Sequence, residues 1–481
     1  MRLHIALNPT KLPSHTSTSH EQSAYRLLCV MIVLGLVIRL VVLYMSKNTG
    51  LMIVDEQHYH TLGLNLLHGH GLAWEPGALT SIRPPLYPFF LRLVWTVSGT
   101  ESFWVVRIAQ ILLNLVNVFL VYRLGLLLFN HRIALFAAAG FCFYPSFVGF
   151  NVFLLTEILF TLLLTLVALG FVVLVKTGKF SAAGGTGIAL GLAALTRSIL
   201  WPFPLVLCPL VFLSVRGRPW VRLQITLCLF LGYALVVTPW ALRNTRLQGV
   251  FTVVDTMGGL TLRMGNYEHT PLYRAWDPVT LQGETSIFQQ LRQEHPDVSS
   301  WTEGRKEKWA LRTALAYMLA HPLVTLQRAV IKFANFWGLE RVIIAGWQQG
   351  LYQPPHWLAV FGTLAITASY ILVMLCASLG FFLAFPRDRR VHICFLLLMT
   401  FICGIHTVTF GHERYHLPLI PFLCLYAAAA VTRRSWLRLL EGWHTAVPSM
   451  AAWAVLLAIW SREVFVVEAE RIQALLRALF I

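Results

Sequence analysis

Long apolar segments recur along almost the whole chain, and this pattern restricts the fold more than any other feature of the sequence. A helix that crosses a lipid bilayer needs about 20 largely apolar residues. Hydrophobic residues make up 57% of the chain and charged residues only 12%, whereas soluble domains are about one-quarter charged. We therefore predict an all-α polytopic membrane protein with about eleven transmembrane helices. The segments lie at 27–46, 104–128, 133–150, 152–175, 183–200, 201–215, 221–240, 357–385, 391–410, 416–431 and 447–461.

Basic residues distinguish the two membrane faces. They gather in every second connection, which is the pattern that keeps basic loops in the cytosol. These residues are Arg123, Arg132, Lys176, Lys179, Arg216, Arg218, Arg222, Arg387, Arg389, Arg390, Arg433, Arg434 and Arg438. We expect a cytosolic N-terminus in a plasma membrane, with the long connections 47–103 and 241–356 on the outer face. The net charge of +17 is not concentrated in one patch, so we expect contact with membrane lipids and not with nucleic acid.

The domain organisation follows from these segments. Residues 1–26 are polar and predict a disordered cytosolic tail. Residues 27–245 form a transmembrane core that includes the first outer loop, 47–103. Residues 246–356 form an outer loop region, 357–461 the C-terminal transmembrane helices, and 462–481 an amphipathic tail.

Three stretches outside the apolar segments have helical character. Residues 56–68 predict an amphipathic helix that ends at Gly69 and Gly71. Residues 285–320 also predict helix, and 322–346 predicts an amphipathic helix at the membrane interface.

Metal-binding patterns are weak. All eight cysteines lie within apolar segments and lack metal-ligand spacing, so we interpret them as small buried hydrophobic residues. The pairs His58/His60 and His68/His70 alternate along a predicted helix, which directs the two rings of each pair to different sides. We expect no metal cofactor, although an acidic pair is also a suitable ligand set for Mg²⁺ or Mn²⁺.

Acids and arginines recur at the outer ends of the predicted spans, where ionisable residues are costly and indicate function. A group of arginines suits phosphate, and a neighbouring carboxylate suits a general base. Asp55 and Glu56 follow the first span, and Glu157 begins the fourth. The remaining candidates for a phosphate or substrate site are Tyr59, Arg83, Tyr87, Arg107, Arg197, Arg243, His412 and Arg414.

A polar stripe runs along the second predicted span. Arg107, Gln110, Asn114 and Asn117 are spaced by three, four and three residues, which places them on one helical face directed into the bundle. Structural interpretations remain open for all of these residues. Asp55 and Glu56 are also typical of a helix N-terminus. Arg83, Arg197 and Arg243 are also typical of residues that anchor a helix at the membrane interface. The stripe is also typical of hydrogen bonding between helices.

Several segments resemble, in order, the bacterial GT-C glycosyltransferases of the protein-mannosyltransferase-like group (family 39). They are DEQHYHTLGLNLLHGHG, RPPLYPFFLRLV, RIAQILLNLVNVFLVYRLGLLLF, LLTEILF, GLAALTRS, TPWALRN and ERYHLPLIP. The resemblance covers residues 27–245 well and 405–430 moderately, and it implies a GT-C bundle with periplasmic amphipathic helices in a bacterial inner membrane.

The resemblance also implies an activity. Members transfer a sugar from a polyprenyl-phosphate carrier to an acceptor hydroxyl at the periplasmic face, with inversion. Asp55 corresponds to the catalytic base of the family, Arg83 to the residue that holds the donor phosphate, and Glu157 to a second acid. The acceptor is left open between a glycolipid, a glycan and a protein.

Two other classes of function fit the sequence. A transporter or flippase of a lipid-linked saccharide also needs internal arginines, but the chain lacks the internal repeat that many transporters carry. A pseudoenzyme within an envelope complex is the third class.

Overall fold

The computed structural model describes residues 19–271, 281–348, 350, 354–467 and 469. In these residues the regular structure is helical, apart from an antiparallel bridge between Ala73 and Leu79. The predicted all-α class is confirmed. The helices are α1 (Ser19–Met45), α2 (Val54–Leu67), α3 (Leu86–Ser98), α4 (Phe103–Leu128), α5 (His131–Cys142), α6 (Pro145–Phe150), α7 (Glu157–Thr177), α8 (Phe180–Thr196), α9 (Pro204–Ser214), α10 (Pro219–Gln248), α11 (Gly258–Gly265), α12 (Ile287–Glu294), α13 (Glu303–Ala320), α14 (Pro322–Phe336), α15 (Val342–Gln348), α16 (His356–Leu383), α17 (Arg389–Val408), α18 (Ile420–Thr432) and α19 (Trp443–Arg462).

Eight of the described helical segments are long and apolar enough to cross a membrane. Three of the predicted spans contain shorter apolar helices instead, namely α5, α8 and α9. The predicted count of eleven is therefore not confirmed. Between α5 and α6 the reason is local, because Tyr144 is extended at ψ 114° before Pro145, and a residue before proline disfavours helix. The eight are Glu21–Met45, Phe103–Leu128, Glu157–Thr177, Pro219–Gln248, His356–Leu383, Arg389–Val408, Glu413–Thr432 and Trp443–Val467.

The helices between the spans match most of the sequence predictions. Helix α2 occupies the stretch predicted at 56–68, and α12 and α13 occupy 285–320. The segment 322–346, predicted as one helix, contains α14 and the start of α15. The chain bends by 109° between α13 and α14, at His321, whose φ of −127° and ψ of 63° reflect the restriction imposed by Pro322.

The chain ends differ from the prediction in one respect. Residues 19–26, expected in a disordered tail, are the first residues of α1. Glu21 lies in the first turn of this helix, where a negative charge favours the helix dipole. Residues 1–18, and all but seven residues of the predicted 462–481 tail, lie outside the described residues; among those seven, Arg462 ends α19.

The core lies around α4, α5, α7 and α18. Helices α7 and α18 are buried along most of their length, so they are surrounded by other helices and not by lipid. Helix α10 packs closely on α8 through small residues. A Cβ added to Gly187 would lie 2.0 Å from the carbonyl oxygen of Leu229, and one added to Gly232 would lie 2.5 Å from that of Gly184. The small residues of the segment GTGIALGLAALT therefore serve helix packing.

We predict that Gly187→Val lowers the thermal unfolding temperature of the purified protein in detergent. The new side chain would push the backbone of α10 away, and overpacking of this kind costs about 1–3 kcal/mol. Gly185→Val is the matched control, because nothing lies within 4 Å of a Cβ at that position. Equal losses in the two variants would contradict close α8–α10 packing.

Candidate active site

Asp55 lies in the first turn of α2 and contacts two arginines. Its Oδ1 accepts a hydrogen bond from Arg83 Nη2 at 2.6 Å, and its Oδ2 accepts one from Arg414 Nη1 at 3.2 Å. Burial of the carboxyl group favours its neutral form, but the charges of Arg414 and Arg83 outweigh this effect and lower the pKa of Asp55 to about 2. Asp55 is therefore ionised at neutral pH.

Glu157 is the first residue of α7 and is fully buried, with 0% of its surface exposed. Its Oε1 accepts hydrogen bonds from Arg197 Nη2 at 2.8 Å and from Arg414 Nε. Arg197 Nε also donates to the hydroxyl of Thr156 at 3.1 Å. Buried carboxylates are stable only when paired, so Glu157 and the two arginines depend on one another.

Arg414 joins the two acids. It lies in the 3₁₀ segment Glu413–Leu419 that precedes α18, and its guanidinium reaches Asp55 on α2 and Glu157 on α7. We call Asp55, Arg83, Glu157, Arg197 and Arg414 the carboxylate–arginine cluster. The three guanidinium groups exceed the two carboxylates by one positive charge, which suits the binding of a monoanion.

Aromatic rings pack against the cluster. The guanidinium of Arg83 lies 5.7 Å from the ring centre of Tyr59, and this ring is 5.1 Å from that of Tyr87 in an edge-to-face contact. The hydroxyl of Tyr87 donates to Gln110 Oε1 at 2.6 Å. Tyr59 thus packs against Arg83, and Tyr87 packs against Tyr59, so Tyr59 lies beside the cluster and Tyr87 one ring further away.

Glu56 and Arg107 lie outside the cluster and hold its framework. Glu56 accepts hydrogen bonds from the backbone N–H groups of Met52, Ile53 and Leu154 at 2.9–3.0 Å. Arg107 donates to the backbone carbonyls of Val152 and Thr49 at 2.7 and 2.8 Å. Both side chains are buried. Glu56 therefore binds backbone N–H groups at the N-terminus of α2, which is the structural interpretation that the sequence left open for it.

The polar stripe of α4 faces the interior, as predicted. Arg107, Gln110, Asn114 and Asn117 are each 1% exposed. Gln110 and Asn114 donate to the backbone of the segment 147–153 that leads into α7. The stripe therefore fixes the backbone that carries Glu157, which is the hydrogen-bonding role left open by the sequence.

Arg243 and His412 contact neighbouring loops. Arg243 donates to the carbonyls of Thr80 and Leu72 at 2.7 and 3.4 Å, so it holds the segment between α2 and α3. His412 Nδ1 accepts a hydrogen bond from the backbone N–H of Arg414 at 3.1 Å. Neither side chain is an ion-pair partner of Asp55 or Glu157 in the described contacts, although His412 supports the backbone that carries Arg414.

A cavity of about 370 Å³ lies near the cluster, and its lining includes none of the five cluster residues. Its lining includes Tyr415, whose ring lies 5.4 Å from the guanidinium of Arg197, and Ser198, the residue after Arg197. Asp255 also lines it and lies close enough to Arg83 to stabilise its charge. Burial raises the pKa of Asp255 to about 6, against the opposing hydrogen bond from Ser198.

Sequence reasoning missed Asp255, Ser198 and His406 as site residues. Asp255 follows the apolar stretch FTVV in a segment whose position relative to α2 no local pattern reveals. His406 lies inside a predicted span, and an ionisable residue there is a signal that was available.

Among the described residues, no group of three or more His, Cys, Asp and Glu side chains has the arrangement of a metal site. The rings of His58 and His60 are separated as expected, whereas the expectation is wrong for His68 and His70. Their rings pack edge to face with 6.4 Å between ring centres, because α2 ends at Leu67 and the two residues follow the helix. His58 Nδ1 contacts Arg83 Nη2 at 2.8 Å, whereas the ring of His60 packs on Trp95 and Phe103.

The comparisons with known proteins agree with this architecture. Residues 82–242 match the family described as dolichyl-phosphate-mannose-protein mannosyltransferase. The curated proteins contain no significant sequence match. The apo oligosaccharyltransferase of Archaeoglobus fulgidus superposes with a TM-score of 0.52 at 13% identity, over 91% of this chain and 54% of that one. The chain has the GT-C fold.

Two further structures are similar. The oligosaccharyltransferase AglB of Archaeoglobus fulgidus, in complex with an inhibitory peptide and a dolichol-phosphate, gives a TM-score of 0.52 at 12% identity, over 92% of this chain and 55% of that one. ArnT of Cupriavidus metallidurans, bound to undecaprenyl phosphate, gives a TM-score of 0.40 at 14% identity, over 84% of this chain and 77% of that one. The chain spans about half the length of the oligosaccharyltransferases. Its resemblance to the protein-mannosyltransferase-like group is confirmed over residues 82–242.

We predict that Glu157→Gln lowers the unfolding temperature strongly. The substitution leaves Arg197 and Arg414 without their buried counter-charge, and loss of one partner from a buried pair costs about 3–5 kcal/mol. Asp388→Asn is the control, because Asp388 pairs with Arg390 in a more exposed position, where a pair contributes about 0–1 kcal/mol. Similar losses in both variants would contradict the interdependence of the cluster.

Proposed function

We propose that this protein is a membrane glycosyltransferase that moves a sugar from a polyprenyl-phosphate donor to an acceptor hydroxyl. The observation that carries the proposal is the pairing of Asp55 with two arginines beside a cavity, at the converging ends of separate helices. The GT-C fold supports it, as does the family match over residues 82–242. The dolichol-phosphate and the peptide bound to AglB favour a lipid-phosphate donor and leave a peptide among the acceptors considered.

The arginines of the cluster bind the donor phosphate in this proposal. A phosphodiester carries one negative charge, which matches the single positive charge in excess in the cluster. Guanidinium groups donate several hydrogen bonds to phosphate in fixed geometry. Arg83 and Arg414 are partly accessible, with 18% and 13% of their side chains exposed, so a donor phosphate would be able to contact both.

Asp55 acts as the general base. The acceptor oxygen attacks the anomeric carbon, the bond from that carbon to the phosphate oxygen breaks, and Asp55 takes the acceptor proton. Polyprenyl phosphate leaves with the bonding electrons, and the arginines stabilise its charge. Attack opposite the leaving group inverts the configuration at the anomeric carbon.

In this proposal, donor binding raises the basicity of Asp55. A carboxylate with a pKa of about 2 is a weak base, because efficient bases have pKa values nearer the working pH. Arg83 and Arg414 lower the pKa of Asp55 while they pair with it. When they turn to the donor phosphate, the pKa of Asp55 rises and the carboxylate gains basicity only in the loaded site.

The membrane orientation is part of the proposal. The cluster lies where α7 begins and α8 ends, opposite the basic connection of Lys176 and Lys179 between those helices. The positive-inside rule places that connection in the cytosol. The cluster would then face the periplasm of a bacterial inner membrane, where lipid-linked donors are used.

We predict that Asp55→Asn reduces transfer by at least about 10²-fold, the usual contribution of a general base, and leaves the protein folded. The measurement is release of polyprenyl phosphate from a labelled lipid-phosphate sugar in the presence of a membrane glycolipid extract, with gel filtration as the test of folding.

Glu101→Gln is the matched control, because Glu101 is an exposed acid paired only with His68 in the described contacts. Near-normal release by Asp55→Asn would remove the assigned base. Movement of the intact lipid-linked sugar across vesicles, without release by the wild type, would favour the flippase alternative.

We also predict that transfer persists after exhaustive treatment with EDTA. The carboxylate oxygens of Asp55 accept hydrogen bonds from arginines, and those of Glu56 accept them from backbone N–H groups. The oxygens of the acidic pair are therefore already bonded and are not arranged to bind a metal ion. The assay compares release before and after chelation and after addition of Mg²⁺ or Mn²⁺. Loss of release on chelation and its recovery with either metal would contradict arginine-based stabilisation.

A further inference from the structure

Helix α14 has its charged residues inside and its apolar residues outside, which is the reverse of a helix that borders water. Arg328 and Lys332 are only 7% and 3% exposed. On the opposite face, Leu323, Leu326 and Val330 are 81%, 64% and 61% exposed. A helix at a water-facing surface directs its apolar stripe into the protein. The exposed face of α14 therefore indicates apolar surroundings.

The two buried charges are bonded to the protein, and one of them fixes the height of α14. The guanidinium of Arg328 donates to the carbonyl of Tyr267 at 2.8 Å, and Lys332 Nζ donates to the carbonyl of Val408 at 2.9 Å. Val408 is the last residue of the spanning helix α17. This end of α17 leads into the segment that carries Arg414. Helix α14 therefore lies at the membrane surface on the side of the carboxylate–arginine cluster.

The second half of α13 continues the apolar surface. Leu315 and Leu319 are 45% and 82% exposed, and residues 313–327 contain no Asp, Glu, Lys or Arg. The first half of α13 is charged, and the side chain of Arg305 is 57% exposed there. We call residues 313–327 the α13–α14 corner, because the two helices meet at 109° within them. Its most exposed leucines, Leu319 and Leu323, lie on either side of the bend.

The backbone of the bend is bonded in a way that suits surroundings without water. Pro322 has no N–H, so the carbonyl of Met318 lacks the donor that a continuing helix would supply. The hydroxyl of Thr325 lies 3.3 Å from this carbonyl oxygen and 2.9 Å from that of His321, and its hydrogen is shared between them. A backbone polar group without a partner is costly in lipid, because no water is present to bond it. The side chain of Thr325 supplies the donor that Pro322 removes.

We propose that the α13–α14 corner inserts into the bilayer leaflet on the side of the cluster, with its leucines in contact with lipid acyl chains. A lipid surface is the partner because the apolar face continues at Val408, which is 46% exposed at the end of α17. Apolar faces of such helices enter a bilayer by about 5–10 Å. The contact extends beyond the interfacial helix predicted over 322–346, since it includes the second half of α13. It does not depend on the proposed function.

The corner gives α13 a second point of attachment. At the other end of this helix, Glu303 accepts hydrogen bonds from the hydroxyl of Thr80 at 2.6 Å and from the N–H of Ser81 at 2.7 Å. Glu307 and Lys308, which line the cavity, lie between the two ends. Helix α13 thus joins the segment between α2 and α3 to the bilayer. The depth of the corner in the leaflet then helps to set the position of this cavity wall.

The test measures the surroundings of a fluorescent amino acid, incorporated at a stop codon in place of Leu319 or Leu323, in the full-length protein in lipid nanodiscs. Quenching by nitroxide groups on the lipid acyl chains is compared with quenching by iodide in the buffer. Leu364, 60% exposed on the span α16, calibrates lipid, and Gln293, exposed on α12, calibrates water. At both corner positions the ratio of lipid to iodide quenching should be close to that of Leu364 and well above that of Gln293.

The variant Leu319→Asp/Leu323→Asp, with the reporter at Leu326, tests the cause of the contact. Charged side chains are costly among acyl chains, so the corner should leave the bilayer and the quenching ratio should fall to that of Gln293. Gln293→Asp is the matched control and should leave the ratio at Leu326 unchanged, with gel filtration as the test of folding for both variants.

Two results in the otherwise unchanged protein would overturn the proposal. A quenching ratio at the corner equal to that of Gln293 would show that water surrounds the leucines. Weak quenching by both agents would show that protein, such as a second copy of this chain, covers them. In the doubly charged variant, a folded protein whose ratio at Leu326 stays close to that of Leu364 would contradict insertion driven by the leucines.

Discussion

The contact of Arg414 with two carboxylates is the interaction on which the rest of the site depends. Asp55 comes from α2 and Glu157 from α7, and each would be expensive to bury without a counter-charge. Arg414 comes from the segment before α18, far along the chain. One guanidinium thus joins three parts of the fold that sequence separates by hundreds of residues. The contact exists only where α2, α7 and the segment before α18 lie together, so the packing of the core and the geometry of the site depend on each other.

Hydrogen bonds between side chains and the backbone hold the residues of this charged contact in position. Glu56 binds the N–H groups at the start of α2 and that of Leu154, while Arg107 and Gln110 bind carbonyls of the segment leading into α7. These contacts fix the two acids relative to each other without touching them. Polar groups inside a membrane protein are costly unless satisfied, and here the same groups that satisfy loop backbone also set the geometry of the site.

The sequence predicted the helical class, the segments that contain the membrane-crossing helices, and acids and arginines at the ends of spans, because hydrophobic length and charge at span ends are local signals. It did not select, among those acids and arginines, the five that form the cluster. The local pattern did not separate Asp55 from Glu56, since adjacent acids in the first turn of a helix satisfy both the catalytic and the capping pattern; the assignment of the base to Asp55 came from the family resemblance. Only the direction of each side chain, toward arginines or toward backbone N–H groups, distinguishes them. The cavity residues Asp255 and His406 were not predicted, because they lie about 150 residues apart and only tertiary packing brings them to one cavity.

The arrangement of charge also suits the proposed chemistry. Three guanidinium groups surround two carboxylates, so the cluster has one positive charge in excess for the phosphate of the proposed donor. Asp55 lies between Arg83 and Arg414. A phosphate held by these two arginines would therefore place the bond that breaks close to the proposed base. Binding energy from the rest of the donor would then position the reacting carbon, which is how remote contacts contribute to catalysis.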